Sequence, residues 1–223
     1  SEWQFDKVVA KRLLSDSWPL IISSIMVSLY MKIDQVMIKE MLDNNAVGQY
    51  AAAVRLSEAW YFLPVAICSS VFPAIINAKK VSKQFYYDRM QRLYRLVIWL
   101  SVLVAIPMTF LSEYLIILLY GYAYIEAGQI LMIHVWAGVF ISIGIASTRW
   151  LINENMQIYS TLNTSIGAIA NILMNYILIR NLGIVGAALA TIFTHAIAAY
   201  FGLFIWEKTR KAFRMINKAI ISH

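Results

Sequence analysis

The sequence predicts an all-α, polytopic membrane helix bundle with six transmembrane helices and both termini on the cytoplasmic side. Three observations support this. Hydrophobic residues make up 61% of the 223-residue chain and the mean hydropathy is +0.65, above the roughly 45–50% apolar content of soluble domains. The apolar residues gather into six runs, most of them long enough to cross a hydrocarbon core of about 30 Å at about 1.5 Å per residue. Lys and Arg fall in alternate connections between those runs, the asymmetry that sets the orientation of membrane proteins.

Residues 1–17 alternate charge with Trp3, Phe5, Val9 and Leu13, a stripe that suits an interfacial amphipathic segment. The first span, 18–38, carries Pro19 in its opening turn, where a helix needs no N–H donor. A short polar connection leads to the second span, 47–76, whose Pro64 removes a backbone hydrogen bond and predicts a kink near Phe62 to Pro64. Residues 79–95 set Lys79, Lys80, Lys83, Arg89, Arg92 and Arg95 against Asp88. They read as a topology signal, with an apolar side suited to lying on an anionic leaflet. The third span is 96–111, with Pro107 near its end, and the apolar piece 115–120 that follows is too short to cross alone. Spans four to six are 127–150, 158–179 and 183–206, and residues 207–223 form a basic cytoplasmic tail. With the amino terminus inside, 15 Lys and Arg residues fall on the cytoplasmic side and only Lys39 and Arg180 outside.

The net charge of +7 thus follows from topology and gives no reason to expect a nucleic-acid partner. The single Cys68 excludes a disulfide framework or a Cys metal site within one chain. No metal site and no cofactor are expected. The chain opens on Ser without a secretory signal pattern, so it is expected to begin mid-protein.

Four charges interrupt the first two spans: Lys32, Asp34, Arg55 and Glu58. By helical rise, Lys32 and Asp34 lie roughly 21 to 24 Å into the first span, and Arg55 and Glu58 roughly 12 to 16 Å into the second. A charge at such depth costs about 2.5 to 3.5 kcal/mol on insertion scales, so it normally faces a polar cavity or a partner. Two structural readings stand beside that one. Arg55 and Glu58, three apart, can neutralise each other, and Lys32 can extend its ammonium outward. Small residues at Gly186, Ala190, Thr194, Ala198 and Gly202, and Asn163, Gly167, Asn171 and Asn175 on span five, form two stripes suited to close helix packing. His134 and His195 are candidates for a proton or a pyrophosphate contact, and equally for hydrogen-bonded packing.

The segments Asp34-Gln35-Val36-Met37-Ile38, Val47-Gly48-Gln49-Tyr50-Ala51-Ala52-Ala53-Val54-Arg55 and Phe72-Pro73 resemble the start of the C-terminal lobe of bacterial polysaccharide flippases, within the multidrug, oligosaccharidyl-lipid and polysaccharide exporter superfamily. So do Leu118-Leu119-Tyr120-Gly121, Arg149-Trp150-Leu151-Ile152-Asn153-Glu154-Asn155, Asn171-Ile172-Leu173-Met174-Asn175-Tyr176 and Leu182-Gly183-Ile184-Val185-Gly186-Ala187-Ala188-Leu189-Ala190-Thr191. Arg180-Asn181 departs from the pattern, since many relatives carry a proline and an aromatic there. The resemblance implies one lobe of a two-lobe alternating-access exporter, its N-terminal lobe lying outside residues 1–223. It implies a multi-pass protein of the bacterial cytoplasmic (inner) membrane that is not an enzyme, acting on an undecaprenyl-pyrophosphate-linked oligosaccharide such as an O-antigen or capsule repeat unit. Within that reading Arg55 and Lys32 bind the pyrophosphate. Asp34, with Glu58, takes a coupling proton or sodium ion, and His134, Asn163, Asn171 and His195 line the cavity. The alternatives are a related lipid II or multidrug exporter, a six-span half-transporter that dimerises, and a membrane-embedded enzyme of glycan assembly.

Overall fold

The computed structural model describes residues 6–221, apart from several side chains between residues 12 and 31, and its described residues form helices and turns with no strand among them. Helix α1 spans Lys7–Met41, opened by Asp6, whose carboxylate accepts from the amides of Val8 and Val9. It therefore continues without a break through the expected boundary between residues 17 and 18. The next two helices, α2 (Asn44–Glu58) and α3 (Phe62–Val81), form one interrupted span. Pro64 is the third residue of α3 and has no N–H to offer the preceding turn, so the chain is irregular over 59–61, next to where the kink is expected.

The largest difference lies in α4, a single helix over Lys83–Tyr120. It fuses most of the basic connection, the third span and the short apolar piece. At 1.5 Å per residue it is about 57 Å long, well beyond a hydrocarbon core, so one end must stand clear of the bilayer. The basic stretch is helical because Tyr86, Met90, Leu93 and Tyr94 repeat at helical spacing and bury one face. Helices α5 (Glu126–His134) and α6 (Ala137–Asn153) form a second interrupted span. They are followed by α7 (Gln157–Leu182) and α8 (Ile184–Ala196), which runs through a π-turn at Ile197–Phe201 into the short α9 (Gly202–Ile205). The tail is folded as well: α10 (Arg210–Ile221) seats Ala212, Met215, Ile216 and Ala219 on the bundle, chiefly against α4.

Among the described residues five spans are long and apolar enough to cross a membrane: Asn44–Val81, Lys83–Tyr120, Glu126–Asn153, Gln157–Leu182 and Ile184–Ile205. The remaining expected span, 18–38, lies inside α1, and many of its side chains are outside the described residues. Two apolar clusters hold the bundle. One joins α3, α4, α6 and α10 around Phe72, Tyr94, Trp150 and Met215, and the other joins α2, α5 and α8 around Tyr50, Ile130, Leu131 and Ala187. Between them the packing turns polar. Ser101 and Ser112 separate the clusters along α4, and Thr191, Thr194 and His195 separate them along α8.

Close approaches of small residues fix the geometry around that polar layer. A Cβ on Gly138 would fall 2.2 Å from Cζ2 of Trp60, so the two interrupted spans meet where an indole covers a bare backbone. The stripes on α7 and the α8–α9 segment face each other, Gly167 against Ala198 and Gly202 against Asn163. At the α7–α8 turn, a Cβ on Gly186 would sit 2.1 Å from the carbonyl oxygen of Leu178, whereas one on Gly48 would meet nothing nearer than 3.8 Å. Gly186→Ala is thus expected to destabilise by about 1 to 3 kcal/mol or more, because a backbone atom must move. Gly48→Ala should be neutral or slightly stabilising through better helix propensity. Thermal unfolding of both variants in detergent, followed by size-exclusion fluorescence, checks the contrast.

Candidate functional site

The centre of the polar layer is Asp34, one turn before the buried Ile38 on the inward face of α1 and only 3% exposed. Three helices supply its partners. Tyr50 of α2 donates to Oδ2 at 2.9 Å, Thr191 of α8 donates to the same oxygen at 2.8 Å, and Asn175 of α7 donates Nδ2 to Oδ1 at 2.6 Å. Asn171, one turn from Asn175, is fully buried nearby, and neither polar atom of its side chain has a hydrogen-bond partner among the described residues. The Thr191 hydroxyl also lies 3.0 Å from the carbonyl of Ala187 and 3.2 Å from the Tyr50 hydroxyl. Its single proton can serve only one acceptor at a time. No described Lys or Arg forms an ion pair with Asp34; the ion pair found among the described residues is Lys79–Glu154, at 2.8 Å.

Glu58 is half-buried and shares a small hollow with Asp34, together with Tyr50, Val54, His134, Ile141, Thr191 and His195. The hollow has a volume of about 10 Å³, close to the minimum needed for one water-sized particle. Two carboxylates facing so small an enclosed space are costly when both are anions, and a proton or one cation between them relieves that cost. His134 anchors one wall, its Nδ1 2.8 Å from the Ser57 hydroxyl and its ring edge-on to Tyr50 at 6.1 Å. His195 forms another part of the wall.

A second, wider cavity of about 540 Å³ lies between α1, α6, α7 and the π-turn. Hydroxyls and an amide line it, including Ser147, Thr148, Ser160 and Asn163, with Arg149 as its cation. Arg149 also donates to the Ser69 hydroxyl at 3.0 Å. Gly144, Ala198 and Ala199 keep the space open by withholding side-chain volume. A volume of this order suits a ligand of drug or sugar size.

The sequence-predicted residues therefore divide into groups. Asp34, Glu58, His134 and His195 meet around the small hollow; Asn163 and His195 line the wide cavity; Asn171 is fully buried and borders neither. Asn163 also accepts the indole N–H of Trp206 at 2.8 Å. Arg55 and Lys32 are exposed and line neither space. The Arg55–Glu58 neutralisation considered from the sequence does not form as an ion pair, while Lys32 is near enough to Glu58 to act on it electrostatically. Sequence reasoning gave no site role to Tyr50, Thr191 or Arg149, which entered only through the family motifs and, for Arg149, the count of cytoplasmic charges, and it assigned Asn175 to packing. The signal for Tyr50, Asn175 and Thr191 is weak: single hydroxyls or an amide in apolar runs, which become partners only after four helices converge.

Comparison with known proteins agrees with this architecture. Residues 2–79 match a family described as polysaccharide biosynthesis protein. The chain is also 27% identical over 192 residues to the probable low-salt glycan biosynthesis flippase Agl15 of the archaeon Haloferax volcanii, covering 84% of this chain and 40% of that protein. The chain thus spans less than half the length of that relative. A flippase is a transporter rather than an enzyme, and both similarities agree with a multi-pass membrane helix bundle. Along most of its length, this chain is a multi-pass membrane protein similar to the flippases of polysaccharide biosynthesis.

Proposed function

We propose that the chain is one lobe of a glycan flippase and that α1 supplies its sixth span. The lobe rocks against a second lobe so that the cleft between them opens to one side of the membrane at a time. The observation that carries this reading is the Asp34 constellation. An ionisable carboxylate is held deep in a membrane bundle by donors from three helices, beside a second carboxylate and a space for one small particle. Ionisable groups so placed mark ion or proton pathways in transporters.

The substrate of this proposal is an undecaprenyl-pyrophosphate-linked oligosaccharide, such as an O-antigen or capsule repeat unit, carried across a bacterial cytoplasmic membrane with its lipid tail left in the bilayer. Its pyrophosphate requires cations. Arg55 and Lys32, exposed on the first two helices, offer a bidentate guanidinium and a point-charge ammonium. Glu58 links the two parts of the mechanism, because it interacts with Lys32 on one side and with Asp34 on the other. A pyrophosphate that engages Lys32 draws positive charge away from Glu58. The hollow then needs a proton or sodium ion more strongly, so cargo and coupling ion favour each other.

In the full-length transporter carrying this lobe, Arg55→Ala is expected to lower flipping of lipid-linked oligosaccharide at least about tenfold, with membrane insertion unchanged and Arg55→Lys intermediate. Export by Arg55→Ala at the wild-type rate overturns its assignment. Asp34→Asn preserves shape but removes the charge. It should abolish gradient-driven flipping, measured in proteoliposomes, while the variant still elutes as a folded species.

A further inference from the structure

The small Asp34–Glu58 hollow and the wide cavity have two bordering residues in common, Ile141 and His195. One is an alkyl side chain that can carry nothing. The other is an imidazole with a nitrogen on each side of its ring, able to accept a proton at one and release a proton from the other. We propose that His195 is the doorway through which protons pass between the wide cavity and the Asp34–Glu58 hollow, so that the coupling ion is a proton. This rests on the reading that the hollow holds the coupling ion, and goes beyond it by naming the ion and its route.

The groups around the imidazole suit that role. The hollow on one side contains Asp34 of α1, Tyr50 and Glu58 of α2 and His134 of α5. The cavity on the other side contains Arg149 of α6, Tyr61 between α2 and α3, and the uncharged Ser160 and Asn163 of α7. Both proton acceptors, Asp34 and Glu58, thus lie on one side, and the roomy polar space lies on the other. The hollow has room for about one water-sized particle, enough to bridge the ring to a carboxylate. A sodium ion has no such passage, since it needs several oxygen ligands at once and cannot be handed through a ring. The helix widens just past the doorway. The π-turn begins at Ile197 and sets Ala198 and Ala199 against the wide cavity beside His195; such turns are frequent at functional sites.

The step balances simply. A hydronium ion in the wide cavity gives a proton to one ring nitrogen and is left as water, and the other nitrogen gives its proton, through a bridging water, to Glu58 or Asp34. The carboxylate loses its negative charge, the imidazole ends neutral as the opposite tautomer, and a ring flip restores it.

The test uses the full transporter in proteoliposomes loaded with pyranine, in which a membrane potential drives proton uptake. His195→Gln, which keeps hydrogen bonding but cannot relay, should cut uptake at least about tenfold with thermal stability within a few degrees of wild type. His195→Asn repeats the comparison should the glutamine fit poorly. Wild-type uptake in either folded variant overturns the doorway, as does a wild-type transporter that takes up labelled sodium but no protons. Asp34→Asn separates the two readings. If it leaves proton uptake intact, the hollow is not the coupling site; if it abolishes uptake while the His195 variants retain it, only the doorway fails.

Discussion

The constraint on which the structure depends is the cost of holding the Asp34 carboxylate inside an apolar bundle. Left without donors in such surroundings, it would be prohibitively unstable. Tyr50, Asn175 and Thr191 meet that demand from three different helices, so satisfying one side chain fixes the mutual placement of α1, α2, α7 and α8. The apolar clusters above and below then fill space around a geometry the carboxylate has already set. Charge and packing are not separable here: three of the four helices that hold Asp34, namely α1, α2 and α8, also wall the hollow it faces, joined there by His134 of α5 and Ile141 of α6.

The interruptions at 59–61 and 135–136 gain meaning from this. Each falls in a span that supplies the hollow, Glu58 ending α2 and His134 ending α5. Broken spans beside a binding space are a recurring feature of transporters, because backbone is freed from the helical ladder only where it borders a cavity or protein. Trp60 on Gly138 clamps the two breaks together.

Much of the fold was legible in the sequence, and for physical reasons. Long apolar runs have few alternatives to membrane helices, and Pro64 announced its own break. The interruption near Val135 had no such marker, because it depends on the Trp60–Gly138 contact between residues far apart in sequence. The division of α4 into three pieces failed because charges were read as an ending, whereas a helix can carry basic residues on one face while Tyr86, Met90 and Tyr94 bury the other. At the site, Asp34 and Glu58 stood out as charges in apolar surroundings. Their partners did not, since a tyrosine, an asparagine or a threonine in a span is unremarkable until packing brings it to the carboxylate. Burial was equally hidden: Lys32 and Asp34 are two residues apart, yet one is exposed and the other enclosed.

The seating of α10 carries one more consequence. Met215 and Ile216 are pressed into the body of the bundle, the Tyr200 hydroxyl donates to Asn217 at 2.5 Å, and the Lys211 ammonium rests over the Tyr87 ring. The carboxyl-terminal segment is therefore no trailing leash. In the rocking motion proposed above, this helix would swing rigidly with the bundle, its row of cations sweeping the same arc as the carboxylate buried at the centre.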